Sequence, residues 1–116
     1  MINLAFPRKL RLLTSNDFRS VFKNHHQFGG MQDIIIISRL NTLGHPRLGF
    51  TIAKKYIKKA HERNRIKRLI RESFRLKQHN LLTMDFIVFT KKDFTQINNH
   101  TIIEILDKVW NDHYRR

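Results

Sequence analysis

The sequence predicts an α+β sandwich, a small sheet packed with helices. Three observations carry that expectation. Three segments have apolar residues at helical spacing, three others are short and rich in β-branched or aromatic residues, and the two kinds are interspersed along the chain. At 116 residues the chain is expected to form one domain, 1–116, long enough to bury about two thirds of its unfolded surface.

Taken in order, Thr14 and Asp17 have capping-box spacing, and Phe18, Val21 and Phe22 follow at i, i+3 and i+4. This predicts a helix over 15–24, ended before Gly29-Gly30, and a break near those glycines leaves room for a short strand. "DIIIISRL" (33–40) reads as a strand, "NTLGHP" (41–46) as a turn, and "RLGFTIAKK" (47–55) as the returning strand. A basic helix occupies 60–78 and "MDFIVFTKK" (84–92) is another strand. Asn98 or Asn99 caps a last helix whose buried stripe is Ile102, Ile103, Leu106, Val109 and Trp110. The order is therefore near α-β-β-(β)-α-β-α, with helices covering at least one sheet face.

Charge is the informative total: 23 Lys+Arg against 9 Asp+Glu, a formal net charge of +14. A compact domain with that excess repels itself unless a polyanion offsets it. Nucleic acid is the main expectation, with a merely basic surface and an anionic membrane surface as competitors. No apolar run approaches the roughly 20 residues of a membrane span. The N-terminus, "MINLAFPRKLR", meets proline and cations too early for a signal peptide. The absence of cysteine rules out a disulfide framework or thiol chemistry and is compatible with a reducing cytoplasm.

The charge concentrates in "ERNRIKRLIRESFRLK" (62–77), with seven Lys or Arg against two Glu. On a helical wheel Ile66, Leu69, Ile70, Phe74 and Leu76 share an arc of about 160°, with Ser73 inside it. Asn64, Lys67, Arg68, Arg71 and Arg75 crowd the opposite side, and Arg63 and Arg65 flank the apolar stripe about 200° apart. Arg63, Lys67, Arg71 and Arg75 repeat at i,i+4, a like-charged column that destabilises an isolated helix by roughly 0.2–0.5 kcal/mol per pair. Two glutamates cannot neutralise it. Lys54, Lys55, Lys58 and Lys59 extend the patch upstream. Phosphates along a nucleic-acid backbone are the natural complement, gripped by Arg in bidentate fashion.

Other chemistries find little support. The seven histidines show no HExxH or comparable spacing, and His25-His26 reads as loop surface. His61-Glu62 reads as helix-terminal charge. There is no Gly-rich phosphate loop and no carboxylate cluster for two-metal hydrolysis. Phe18 and Phe22, one turn apart, read either as core or as a platform for unpaired bases.

At "AHERNRIKRLIRESFR" (60–75) the sequence resembles the signature of the bacterial ribonuclease P protein subunit: Arg63-Asn64-Arg65, then Ile66-Lys67-Arg68. "LAFPRKLRLLTSNDF" (4–18), "GHPRLGFTIAKK" (44–55) and "MDFIVFTKK" (84–92) are similar to the family's other stretches, in the same order. The resemblance covers nearly the whole chain and is weakest after 93. It implies a protein that assembles with a large catalytic RNA to remove the 5′ leader of precursor tRNA, the RNA holding Mg2+ and performing the hydrolysis. By motif position it implies contact with the catalytic RNA through Arg63, Asn64, Arg65, Lys67, Arg68 and Arg71. It implies a leader cleft lined by Phe18, Phe22, Lys54 and Lys55, with Lys91 and Lys92 near its edge. It also implies a left-handed β-α-β crossover, where general rules favour the right-handed one. The expected setting is cytoplasmic, without membrane or DNA. The reading from a different class is a structural, ribosomal-type RNA-binding protein with no role in cleavage.

Overall fold

The computed structural model describes residues 6, 8–12, 15–24, 27–31, 34–94, 96–111 and 113. A 3-10 turn at Arg8–Leu10 leads into α1 (Ser15–Asn24), followed by β1 (Gln27–Met31), β2 (Ile34–Leu40) and β3 (Arg47–Thr51). Next come α2 (Ala60–Lys77), β4 (Met84–Thr90) and α3 (Asn99–Asn111). The strands form one sheet in the order β1-β2-β4-β3. β1–β2 and β2–β4 are antiparallel, and β3–β4 is parallel. Parallel neighbours cannot be joined by a tight turn, so α2 is the crossover between β3 and β4.

The pleat sorts the core into two layers, because successive side chains face opposite sides. Ile34, Ile36, Leu48, Phe86 and Val88 join Ile66, Ile70 and Phe74 of α2 and Ile102, Leu106 and Trp110 of α3 in the larger cluster. Ile37 and Ile87 face the other way and pack with Leu12 and Val21, with half-buried Phe18 and Phe89 against them. The sheet thus carries α2 and α3 on one face and α1 on the other. Trp110 sits edge-on to both Phe74 and Phe86, with ring centroids 5.7 and 5.5 Å apart. No helix among the described residues is long and apolar enough to cross a membrane.

The expected elements are all present, and the strand foreseen near the glycines is β1. Boundaries differ where lysines crowd a strand end. β3 stops at Thr51, ahead of the turn at Lys54–Tyr56 in which Tyr56 and Ile57 N–H donate to Ala53 O at 3.2 and 3.1 Å, and β4 stops at Thr90, where the chain bends at Lys91 and Lys92. Asn98 caps α3, its side-chain oxygen accepting from Thr101 N–H at 2.9 Å. The buried stripe of α3 uses Ile105 where Ile103 was expected, and Ile103 is only half-buried. Leu76, placed on the apolar side of the wheel, is 50% exposed. It lies at the margin of the stripe in the last turn, beyond the reach of the sheet. Thr14, His25 and His26 lie outside the described residues, as does the side chain of Phe22.

Candidate RNA interface

α2 carries the cations, and its surroundings divide them. Lys59 precedes the helix without a side-chain cap. Arg63 reaches back instead, donating through Nη1 to Ile57 O at 3.0 Å and Lys58 O at 2.8 Å. Arg65 is engaged further. Its Nε donates to Glu62 Oε2 at 3.0 Å, Nη1 to Ile97 O at 3.1 Å and Asn99 Oδ1 at 2.6 Å, and Nη2 to Phe94 O at 2.9 Å. Four of the five guanidinium N–H donors are therefore satisfied inside the protein. They fasten α2 to the loop that starts α3.

The outer side of α2 is different. Asn64 and Arg68 are exposed and Lys67 and Arg71 half-buried. None of the four has a side-chain hydrogen bond or ion pair among the described residues. Arg71 lies over the Phe50 ring at 5.8 Å, which aligns its plane without using its N–H groups. Glu72 offsets only Arg75, accepting from Nη2 at 2.6 Å and from Nε at 3.1 Å. That contact holds the Glu72 carboxyl below its usual value and raises the Arg75 guanidinium.

The predicted leader residues meet at two places. Because β3 and β4 run parallel, with Thr51 opposite Phe89, Lys54-Lys55 and Lys91-Lys92 leave the same end of the sheet, all four exposed. Phe18 lies against the α1 face over Gly49. A Cβ added at Gly49 would stand 2.6 Å from Phe18 Cζ, so the glycine is what lets the ring approach the strand. Phe18 is only half-buried, which fits both a packing role and an open aromatic surface. Phe89 belongs to the same cluster and is also half-buried. Sequence reasoning missed it as a candidate, although the alternation of "MDFIVFT" places Ile87 and Phe89 on one face.

At the opposite end of β3 and β4 the charges are paired. Arg47 grips Asp85 in bidentate fashion, Nε to Oδ1 and Nη2 to Oδ2 both at 2.7 Å, and Asn41 Nδ2 donates to Asp85 Oδ1 at 2.9 Å. Asp17 of α1 lies 3.7 Å from Arg47. The hydrogen bond to Asp85 raises the Arg47 pKa above its ordinary value. Among the described residues no three His, Asp or Glu converge where a metal ion could bind. What the surface offers is unsatisfied N–H donors and half-exposed rings, the means of holding phosphates and unpaired bases.

The family model described as Ribonuclease P matches residues 6–114. The chain is 59% identical over 116 residues to the ribonuclease P protein component of Sodalis glossinidius (strain morsitans), covering 100% of this chain and 97% of that protein. It is 56% identical over 115 residues to that of Erwinia tasmaniensis, covering 99% and 96%. Among solved structures, the Staphylococcus aureus RNase P protein aligns with a TM-score of 0.81 at 28% identity, over 89% of this chain and 94% of that one. The Thermotoga maritima RNase P protein aligns at 0.78 and 25%, over 90% and 98%. With a family match over nearly its whole length and relatives more than half identical from end to end, the chain belongs to the ribonuclease P protein family.

Proposed function

We propose that this protein assembles with the catalytic RNA of ribonuclease P and, in that complex, binds the 5′ leader of precursor tRNA to promote its endonucleolytic removal. The observation that carries the reading is the outer column of α2. Asn64, Lys67, Arg68 and Arg71 stand without acceptors among the described residues, on a chain of net charge +14. Phosphates of the catalytic RNA supply those acceptors. Arg63 adds Nε and Nη2, and Arg65 serves mainly by fixing the helix against the loop before α3.

The leader runs over the α1 face, its bases against Phe18 and Phe22 and its phosphates toward Lys54, Lys55, Lys91 and Lys92. Mg2+ would be held mainly by the RNA subunit, where it would supply activation of the attacking water. The protein's part is affinity and position: cations offset the repulsion between two RNAs, and apolar rings accept bases without regard to sequence. The reaction is placed in the cytoplasm, where transfer RNA is made.

Precursor tRNA cleavage at low magnesium, with catalytic RNA alone, protein alone and both together, tests the reading. Cleavage only in the mixture, at the mature 5′ end, is the expected result. Tight binding of the catalytic RNA with no gain in cleavage would replace it with a structural RNA-binding role.

A further inference from the structure

Arg11 and Arg71, far apart in sequence, line one cavity of about 180 Å3 beside the edge strand β3, with Phe6, Phe18, Gly49 and Phe50 among its walls. The N-terminal segment brings Arg11 there. Leu12 N–H donates to Leu48 O at 2.9 Å, and Arg11 pairs with Leu48 as a parallel bridge on the outer side of β3. Each guanidinium rests near an aromatic face, Arg11 at 4.9 Å from the Phe6 centroid and Arg71 at 5.8 Å from that of Phe50. Such stacking fixes the guanidinium plane and leaves its edge for an anion. The Arg71 side chain makes no hydrogen bond or ion pair among the described residues, and the Arg11 guanidinium gives only Nη2 to Phe6 O at 2.9 Å.

Among the described residues no carboxylate lines the cavity. It opens beside a shallower groove along α2 that shares Phe6, Arg11 and Arg71 and continues to Arg68 and Arg75. The acid in that groove, Glu72, is held by Arg75. The cavity is smaller than the roughly 300 Å3 at which ordinary small-molecule pockets begin. Cationic edges, aromatic walls and room for a single ring system suit one nucleotide, and a base inside a duplex could not enter.

We propose that this cavity takes a single unpaired nucleotide of the catalytic RNA, its base against the Phe6 and Phe50 walls and its phosphate forked by Arg11 and Arg71. The inference rests on the RNA assembly proposed above and adds a discrete site to it. Neighbouring phosphates of the same strand follow the groove past Arg68. Arg11, absent from the candidates that sequence reasoning named, becomes a contact residue.

The test compares the full-length protein with Arg11→Gln, Arg71→Gln, the double variant and Arg71→Lys, measuring affinity for the ribonuclease P RNA at fixed salt and the thermal midpoint. Each glutamine variant is expected to bind about 10-fold more weakly, in line with loss of a charge-assisted fork. The double variant should fall well short of the product of the two losses, because both side chains grip one nucleotide. Arg71→Lys keeps the charge without the fork and should recover less than half of the loss on a logarithmic scale. A base-modifying reagent should find one unpaired nucleotide protected by the wild type and exposed by Arg71→Gln, with thermal midpoints unchanged. Strictly multiplicative losses, full rescue by lysine, or a loss confined to leader-bearing substrate would each overturn the site. Glutamine variants that bind the RNA as tightly as wild type overturn the site and leave the assembly intact. A wild-type protein that fails to bind the RNA overturns both.

Discussion

α2 uses one residue type in two opposite ways within three turns. Arg63 and Arg65 turn their donors onto backbone carbonyls of the protein itself, at Ile57 and Lys58 on one flank and at Phe94 and Ile97 on the other. Arg68 and Arg71, a turn further on, have no such acceptors among the described residues. The difference comes from what lies beside each side chain. The loops entering α2 and α3 present carbonyls that regular structure leaves unsatisfied, and an arginine near them becomes a fastener. Where the helix faces outward, the same guanidinium awaits an external anion. One pair should therefore fail as stability when mutated, and the other as affinity.

The sharpest break at the stability end uses Arg47, a third engaged arginine. Its partner Asp85 is 7% exposed and is also held by Asn41. Asp85→Ala leaves a half-buried guanidinium without its bidentate acceptor. Loss of one partner of a buried pair costs about 3–5 kcal/mol, and partial exposure of Arg47 points to the lower part of that range. Thermal melting should drop by roughly 10 °C or more. RNA affinity, measured far below the new midpoint, should stay within about twofold. A large affinity loss in the still-folded variant would mean that the paired end of the sheet also touches RNA.

Next in size is Arg65→Met, which keeps the aliphatic stem and strands the carbonyl of Ile97, while Phe94 O keeps only the Ile97 N–H at 3.0 Å. A loss of about 2–3 kcal/mol is expected from hydrogen bonds to a charged group. Arg65→Lys should recover little, since an ammonium cannot span acceptors arranged for a planar fork. Arg68→Met should do the reverse. Its stability should stay within about 0.5 kcal/mol of wild type, while affinity for the ribonuclease P RNA falls and the slope of log affinity against log salt shrinks by about 1. If Arg65→Met changes that slope while its melting temperature holds, the division between the two pairs is wrong.

This division was not legible in the sequence, although the elements were. Hydrophobic period placed α2 to within one residue of its observed end, and the wheel separated Ile66, Leu69, Ile70 and Phe74 from Lys67, Arg68 and Arg71. It also set Arg63 and Arg65 at the margins, but whether a marginal arginine turns inward depends on carbonyls as far as 32 residues away in the chain. No local pattern reports them. The family resemblance assigned Arg63, Asn64, Arg65, Lys67, Arg68 and Arg71 alike to the catalytic RNA, without separating the two whose donors turn onto the protein. Arg11 and Phe89 were missed for a similar reason. One gains its meaning from a tertiary approach to α2, and the other from sharing a sheet face with Phe18.

The smallest expected effect comes from Glu72, which sits on the outward side and accepts from Arg75. Its folded pKa is depressed by that hydrogen bond, so the contribution is present above the ordinary carboxylate pKa and is lost as pH falls through the folded value. Glu72 is exposed and Arg75 only half-buried, and solvent screening leaves too little for a melting curve to resolve. The RNA-facing consequence has the opposite sign. Glu72→Gln removes the carboxylate that, among the described residues, lines the groove beside Arg68 and Arg71, and with it the ion pair to Arg75. Affinity for the RNA should rise by a few-fold at low salt and return to the wild-type value at high salt. An unchanged affinity at low salt would place the RNA backbone away from this turn of α2, leaving the contact with Asn64, Lys67 and Arg68 alone.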